Sequence, residues 1–289
     1  MIKTDKLMIC VAPCGSFMTK EQNPSMPTTP DEIAAEAVRS WNEGASIVHI
    51  HARDNDGNAT TKPEVFADIV RKIRAQKCDI VIQFSTSPGR AMGADAEDGF
   101  KVLEAKPEMG SVDIGVSIHP KPNGEEQISA WTRNFNEKLT KACLDRGIKP
   151  EFEVYDTGGL GEVAIITEKL NVPKPFSIQF PMDMQRTREK VIPYSPKNLI
   201  HLVDNMPQDA FFWAFGIAAN ELPACIMSIL LGGQVRVGYE DNVMYSRGRL
   251  AKSNAELVKR IASIGTELGR KVATPNETRE LLGLPRPQI

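Results

Sequence analysis

Apolar runs rich in β-branched and aromatic residues alternate with amphipathic helical patterns along the whole chain. Helical patterns lie between most of these runs, including residues 63–76, 131–147 and 222–233. Strands that alternate with helices indicate a parallel sheet, so the pattern predicts an α/β fold. The predicted strands cover residues 7–12, 46–52, 79–85, 112–118, 151–156, 176–180, 210–216 and 234–240.

The number and spacing of these strands favour a closed sheet. Eight strands spread over about 240 residues are typical of a (β/α)8 TIM barrel. A doubly wound open sheet is the alternative, but no GxGxxG pattern follows the first strand. We therefore predict a (β/α)8 TIM barrel.

Helix start signals indicate where individual helices begin. Thr29 precedes a proline, and Glu32 stands at the third helical position, which predicts a capping box. After the last strand, Ser253 and Thr274 open two further capped helices, so we expect extra C-terminal helices. No linker or repeat interrupts the pattern, and we expect residues 1–289 to form a single (β/α)8 barrel domain.

Composition narrows the classes of partner. Of the 289 residues, 41% are hydrophobic and 25% are charged, which is enough for a large core. The net charge is −2 and no basic block is present, which argues against nucleic acid and anionic membranes as partners. The N-terminus shows no signal-peptide pattern, so we expect a cytoplasmic protein with a small-molecule substrate. The five scattered cysteines argue against a disulfide framework.

The second strand carries two histidines in the stretch IVHIHARDNDG, residues 47–57. Because strand side chains alternate, His49 and His51 share one face with Arg53. Active sites of such barrels lie at the C-terminal ends of the strands, where two imidazoles could bind one metal ion. The alternative is that both histidines satisfy hydrogen bonds inside the barrel.

A catalytic zinc site needs a third protein ligand, and the last strand offers one. Arg236, Gly238 and Glu240 share a parity in VRVGYEDN, and Glu240 falls at the C-terminal end. In a closed barrel the eighth strand is only one strand away from the second. Glu240 is therefore the candidate third ligand, with a surface carboxylate that opens a loop as the alternative. His201, in a helical pattern, is expected to be a surface or packing residue.

These segments together resemble the β-keto acid cleavage enzymes. The resemblance implies a (β/α)8 barrel, commonly a homotetramer, with a divalent metal that is usually zinc. It further implies that a β-keto acid and acetyl-CoA give acetoacetate and a new acyl-CoA. The segments that carry it are residues 12–34, 44–57, 83–90, 106–111, 149–156 and 235–242.

The resemblance also implies roles for individual residues. A zinc ion chelated by the carboxylate and ketone oxygens of the substrate would acidify the carbon between them, and Asp241 would remove that proton. The implied metal ligands are His49, His51 and Glu240. The implied catalytic residues are Asp241 as base, Arg236 as its charged partner, Ser85 as a donor to an oxyanion, and Glu151, with Glu153 as the alternative, as the acid of the fifth strand.

Substrate contacts are expected where the chain departs from the family pattern. Members that cleave 3-keto-5-aminohexanoate carry a glutamate in the first loop for the amine, and Phe17 stands there in this chain. We therefore expect an apolar substrate tail, or a quaternary ammonium held on the aromatic face. Ser111 and His119 are further substrate-binding candidates. Arg53 and Arg90 could each meet a phosphate of acetyl-CoA, with salt bridges as the alternative.

Three other functions compete with this interpretation. An amidohydrolase-like zinc hydrolase would carry the histidine pair on the first strand and more histidines later. A metal-dependent aldolase or lyase of the DRE type would reverse the order of the motifs. A non-enzymatic metal-binding protein would need a closed set of four ligands, whereas only three are convincing here.

Overall fold

The computed structural model describes residues 1–16, 18–87, 97–120, 125–183 and 191–285. Eight parallel strands form a closed sheet. They are Ile9–Val11 (β1), Ile47–Ile50 (β2), Val81–Phe84 (β3), Met109–Pro120 (β4), Lys149–Val154 (β5), Phe176–Met182 (β6), Ala210–Gly216 (β7) and Gln234–Val237 (β8). Their order is β3-β2-β1-β8-β7-β6-β5-β4, and β4 pairs with β3 to close the barrel. The predicted (β/α)8 TIM barrel is thereby confirmed.

Helices cover the outer face of the barrel, and two of them follow the last barrel strand as predicted. No helix within the described ranges is long and apolar enough to cross a membrane. The helices are Pro30–Asn42 (α1), Pro63–Ala75 (α2), Asp98–Val102 (α3), Arg133–Leu144 (α4), Thr157–Lys169 (α5), Pro196–Asn205 (α6), Glu221–Leu230 (α7), Asn254–Glu267 (α8) and Pro275–Leu282 (α9).

The N-terminal end of the barrel is filled by apolar side chains and covered by α9. Leu282 of this helix packs into the same buried cluster as the inward-facing residues of the strands. Arg279 is 1% exposed and donates to both carboxylate oxygens of Glu108, which anchors α9 beneath the sheet. This end is therefore closed by packing. The cluster also contains Met8, directly before β1, and the strand residues Cys10, Ile47, Val81, Met109, Phe211 and Trp213.

One hairpin differs from the prediction. β4 continues to Pro120 and pairs with an antiparallel strand, Glu126–Trp131, that the sequence analysis did not identify. The predicted helix over 131–147 begins at Arg133, because Trp131 pairs with Gly115 and Thr132 caps the helix. Cross-strand hydrogen bonding with a distant segment overrides the local helical pattern here.

The helix caps agree with the sequence except in one detail. Thr29 accepts a hydrogen bond from the Glu32 backbone amide, as predicted for a helix N-cap. The Glu32 carboxylate accepts from the Thr28 amide at 2.8 Å, one residue before the cap, so the predicted reciprocal bond of a capping box was wrong. The complete box forms at α9, between Thr274 and Glu277.

Candidate active site

Two imidazoles meet at the C-terminal end of β2. His49 lies within the strand and is 1% exposed, whereas His51 follows just after its last residue. The Nδ1 atom of His49 lies 2.9 Å from Oε1 of Gln83, and Nδ1 of His51 lies 2.9 Å from Oγ of Ser16. Each ring is therefore oriented through Nδ1, and each Nε2 atom faces the same acidic residue.

That acidic residue is Glu240. Its Oε1 atom lies 3.3 Å from Nε2 of His51 and 3.9 Å from Nε2 of His49. Each of the three residues offers a ligand atom, and these atoms all lie within 4.8 Å of one another. The Oε2 atom of Glu240 is buried without a hydrogen-bond partner among the described residues. Two imidazole nitrogens and one carboxylate, whose Oε2 atom has no partner in the described part of the chain, form a donor set that could hold a divalent metal ion.

Glu240 reaches this position through a turn and not through strand alternation. β8 ends at Val237, and Gly238 adopts φ +147°. The backbone amides of Asp241 and Asn242 both donate to the Gly238 carbonyl, at 3.0 and 2.8 Å, which closes a tight turn. The expectation that Glu240 continues the parity of the strand was therefore wrong, although its carboxylate does lie beside the histidines.

Arg236 occupies the centre of the acidic groups and is 2% exposed. Its Nε atom donates to Oδ2 of Asp241 at 2.8 Å, and its Nη2 atom donates to Oε1 of Glu240 at 2.6 Å. Its Nη1 atom lies 3.5 Å from Oε1 of Glu153. The guanidinium also lies 4.3 Å from the ring centroid of Phe215. One cation thus fixes carboxylates from two strand ends.

Burial and these charges leave the pKa values of Glu240 and His49 below their ordinary values and that of Asp241 above it. Burial opposes the charge of Glu240, yet Arg236 and the imidazoles hold its pKa well below the ordinary value. Burial raises the pKa of Asp241 to about 6 although Arg236 lowers it. Burial, with Arg236 nearby, lowers the pKa of His49 to about 3. His49 is therefore neutral near pH 7, which is the form of imidazole that binds metal ions.

The two candidate acids of the fifth strand lie at different depths. Glu151 is wholly buried, and its carboxylate accepts hydrogen bonds from Gln83, Gln179 and Ser177. Glu153 lies one layer nearer the barrel mouth, beside Arg236. The structure therefore places Glu153 with the acidic groups around Arg236, and Glu151 beneath them.

A second carboxylate, which was not predicted from the sequence, faces Glu153. Asp113 is 3% exposed and pairs in register with Glu153 across β4 and β5. The hydroxyl of Tyr155 donates to Oδ1 of Asp113 at 3.1 Å. Burial, and then the charge of Asp113, raise the pKa of Glu153 well above its ordinary value. This carboxyl group therefore holds its proton more tightly than an exposed glutamate does.

The predicted serines lie close to this site. Ser85 is 5% exposed and lines a small cavity together with Ser16 and His51. Ser111 is 1% exposed, and its Oγ atom accepts from the backbone amide of Thr86 at 3.2 Å. Ser85 is thus beside a candidate ligand, whereas Ser111 contacts the segment that follows β3. Their roles toward a substrate remain predictions.

Arg53 contacts the first loop. Its guanidinium donates to the carbonyls of Gly15, Met18 and Gly57, at distances of 2.7 to 3.2 Å. Arg53 is therefore buried because it holds these loop carbonyls in place. Its contact with a phosphate of acetyl-CoA remains a prediction. Phe17, Arg90 and the side chain of His119 lie outside the described residues.

Gln83 is another contributor that was not predicted from the sequence. It faces the barrel interior two residues before Ser85, as Asp113 does two residues after Ser111. Strand alternation from these two serines was the signal that would have identified both. The exposed His201 lies on α6, outside this site, as expected.

Comparisons with known proteins agree on one family. The family model of the beta-keto acid cleavage enzyme matches residues 6–284. A 3-keto-5-aminohexanoate cleavage enzyme from Fusobacterium nucleatum subsp. nucleatum is 36% identical over 280 residues, which are 97% of this chain and 98% of that protein. A 3-oxoadipate:acetyl-CoA acetyltransferase from Cupriavidus necator is 31% identical, over 99% of this chain and 98% of that protein.

Solved structures agree on the fold. The apo structure of ObcA superposes with a TM-score of 0.75 at 17% sequence identity, and the match covers 90% of this chain and 66% of that one. At this identity the likeness supports the barrel alone. The family model and the sequence relatives, which span almost the full chain, carry the assignment: the chain belongs to the beta-keto acid cleavage enzyme family.

Proposed function

We propose that the protein is a metal-dependent β-keto acid cleavage enzyme that converts a β-keto acid and acetyl-CoA into acetoacetate and a new acyl-CoA. Membership of the family and the names of the relatives support this reaction. The observation that carries the proposal is the geometry of the site. Ligand atoms of His49, His51 and Glu240 lie within 4.8 Å of one another, directly beside the ion pair of Arg236 and Asp241.

His49, His51 and Glu240 would hold the metal, which we propose to be zinc or another divalent ion. When bound, such an ion supplies Lewis acidity toward the carboxylate and ketone oxygens of a β-keto acid. Three protein ligands are the number that catalytic zinc sites use while they keep a position for substrate. The Oε2 atom of Glu240, which is buried and has no hydrogen-bond partner among the residues that the structure describes, supports this assignment.

Asp241 is the proposed base. Both of its carboxylate oxygens accept from Arg236, at 2.8 and 3.1 Å, so the guanidinium holds the carboxylate in one orientation. Asp241 would take a proton from the carbon between the carboxylate and the ketone, and the electron pair left on that carbon would attack the thioester carbonyl of acetyl-CoA and expel CoA thiolate. The thiolate would then attack the former ketone carbon, and cleavage of the bond between that carbon and the nucleophilic carbon would give the new acyl-CoA and the acetoacetate carbanion. The same proton would return to carbon when acetoacetate leaves, so the reaction consumes no net proton.

Ser85 is the proposed donor to an oxyanion. Its hydroxyl lies at the end of β3 in the cavity that His51 also lines. A hydroxyl fixed there could donate a hydrogen bond to the negative charge that develops on a carbonyl oxygen of the substrate. Glu153, beside Arg236, is the stronger candidate for the acid of the fifth strand because the oxygens of Glu151 are already engaged.

The residue at position 17 in the first loop suggests the chemistry of the substrate tail. The names of the relatives imply different groups beyond the ketone, an amine in one and a second carboxylate in another. Phe17 suits neither group, so we propose an apolar tail, with a quaternary ammonium as the alternative. Ser111 and His119 are proposed to contact the substrate, and Arg53 and Arg90 the phosphates of acetyl-CoA.

Assembly and location belong to the same proposal. We propose a homotetramer of single-domain barrel protomers in the cytoplasm. The family resemblance supports the tetramer, and the composition, with its mixed charge and net −2, supports a protein without nucleic acid or membrane partners.

The test is acetoacetate release from a panel of β-keto acids with apolar, carboxylated, aminated and trimethylammonium tails. Each would be incubated with acetyl-CoA and either zinc-loaded or chelator-treated protein. We expect zinc-dependent acetoacetate with one class of tail. Turnover of any panel member without acetyl-CoA would instead favour a hydrolase or lyase, and no turnover by folded, zinc-loaded protein would overturn the proposal.

A further inference from the structure

Beneath the candidate metal ligands lies a buried chain of hydrogen bonds that the proposed reaction does not use. Gln83 connects His49 to Glu151: its Oε1 atom is 2.9 Å from Nδ1 of His49, and its Nε2 atom donates to Oε1 of Glu151 at 2.5 Å. Gln83 and Glu151 are both 0% exposed. A water molecule therefore cannot replace either contact without repacking the barrel interior.

Glu151 determines which way the amide of Gln83 points. If the amide were rotated by half a turn, its oxygen would face Oε1 of Glu151, and two acceptors would stand in contact. Its NH2 group would then face Nδ1 of His49 as a donor. Three donors, from Gln83, Gln179 and Ser177, favour the ionised carboxylate, and in that form it excludes this arrangement because a buried pair of oxygens without a proton between them is strongly repulsive.

The orientation of Gln83 in turn determines the tautomer of His49. The Oε1 atom of Gln83 can only accept, so Nδ1 of His49 must carry the proton. In the neutral ring the lone pair then resides on Nε2, the atom that lies 3.9 Å from Oε1 of Glu240. The thiol of Cys10 lies 4.0 Å from the same Oε1 atom of Gln83 and adds a second, weaker donor to it.

Glu151 is itself held by donors from two other side chains. The hydroxyl of Ser177 donates to its Oε2 atom at 2.7 Å, and the amide of Gln179 donates to Oε1. The carbonyl oxygen of Gln179 then lies 3.4 Å from Nη1 of Arg236. Since donors engage both oxygens and the side chain is fully buried, Glu151 is suited to orient its neighbours and not to contact substrate.

We propose that Gln83 and Glu151 form a relay that fixes His49 as the Nδ1–H tautomer and directs its Nε2 lone pair at the metal. Glu151 is thus a positioning residue that acts through Gln83. The proposal rests on the proposed metal site, because the relay matters for function only if His49 binds metal. Outer contacts of this kind typically change metal affinity by about tenfold to a hundredfold when they are removed.

The first experiment measures the tautomer of His49 directly, in metal-free protein. Long-range ¹H–¹⁵N NMR separates the two neutral tautomers, and the signals of His49 are assigned by their loss in His49→Asn. We expect the proton on Nδ1, although free histidine side chains in water favour Nε2–H. A proton on Nε2 in the wild-type protein would overturn the relay, and this measurement needs no relay variant to fold.

The second experiment measures zinc affinity by competition with a chelator. Gln83→Leu removes the acceptor, and Glu151→Met removes the group that orients it, so we expect each to weaken zinc binding at least about tenfold. Glu151→Gln retains an acceptor for both amides while Ser177 becomes the acceptor of its NH2 group, so affinity should stay within about twofold of wild type.

Ser177→Ala is the matched control, because it removes a hydrogen bond from the same buried carboxylate and leaves Gln83 in place. It should lower stability yet leave zinc affinity within about twofold. Unchanged affinity in Gln83→Leu, or an equal loss in Ser177→Ala, would reduce the relay to a structural network. A wild-type protein that binds no zinc but shows the Nδ1–H tautomer would refute the proposed metal site and not the relay geometry.

Discussion

Arg236 holds the proposed base and a proposed metal ligand with one guanidinium group. Its Nε atom lies 2.8 Å from Oδ2 of Asp241, and its Nη2 atom lies 2.6 Å from Oε1 of Glu240. Burial favours its deprotonation, but the charges of Asp241 and Glu240 together outweigh burial, so the pKa of Arg236 lies well above its usual value. The positions of both carboxylates therefore depend on the planar fork of this side chain.

Replacement of this fork should separate geometry from charge. Arg236→Lys retains the positive charge but cannot pair with both carboxylates at once, so turnover should fall at least about a hundredfold. The measurement is kcat for acetoacetate release, with protein-bound zinc determined in parallel. Arg279→Lys is the control, since Arg279 is equally buried but pairs with Glu108 at the opposite end of the barrel. Equal losses of turnover per folded protomer in both variants would contradict a special role for Arg236.

Substitutions of the neighbouring residues Glu240 and Asp241 should affect different properties of the protein. Glu240→Gln removes the charged ligand, so zinc affinity should fall at least about tenfold. Asp241→Asn keeps the three ligands, so the protein should retain zinc while turnover falls by about 10²- to 10⁴-fold. Metal analysis after dialysis, together with kcat, checks both. Full zinc content and full activity in the two variants would refute the assignment of both residues.

Gly238 should tolerate no side chain. A Cβ atom there would lie 2.2 Å from the backbone oxygen of Ala12, and the residue has φ +147°. Gly238→Ala should therefore cost at least about 3 kcal/mol in the free energy of unfolding and reduce zinc binding, because it displaces the turn that carries Glu240. Urea unfolding and metal analysis measure the two effects.

Gly248 provides the comparison for this substitution. It also has positive φ, +79°, but no atom lies within 4 Å of its Cβ position among the described residues. Gly248→Ala should cost about 1 kcal/mol from backbone strain alone, with zinc binding intact. Similar costs in the two alanine variants would show that close approach to Ala12 is not what constrains the turn.

Lys149 should make stability depend on pH at the closed end of the barrel. Burial lowers its pKa to about 8, whereas the unfolded chain has the ordinary value near 10.5. Between these two pH values the folded state binds fewer protons than the unfolded chain, so stability rises with pH from about 8 to 10.5. Below pH 8 the amine is charged in both states, and its burial destabilises the folded state by the full amount. Lys149→Met should therefore gain relative to wild type at pH 7, and lose about 1–2 kcal/mol of that advantage by pH 10.5.

Denaturant unfolding at the two pH values tests this prediction. Lys138→Met is the control, because Lys138 is exposed on α4. Its stability relative to wild type should not change between pH 7 and 10.5. A constant difference for Lys149→Met as well would show that this amine is not desolvated in the folded protein.

Hydrophobic alternation was sufficient to predict the barrel and the position of the two histidines in its site. The second strand, residues 46–52, was predicted because its apolar residues alternate with His49 and His51, and alternation alone places both imidazoles on the inner face. The pairing of β8 next to β1, and of β1 next to β2, follows from closure of eight parallel strands. These features are local or topological, so the sequence carries them directly.

Only the tertiary structure decided how the acidic groups are arranged. Strand parity grouped Glu240 with Arg236 and gave no position for Asp241, whereas the turn after Gly238 lets both carboxylates reach Arg236. The register pairing of Asp113 with Glu153, and the hydrogen bond of Gln83 with Glu151, join segments 40 and 68 residues apart in the chain. Such contacts depend on strand register and on turn geometry. Hydrophobic periodicity determines which face of a strand a side chain occupies, but it does not determine which distant side chain lies beside it on that face.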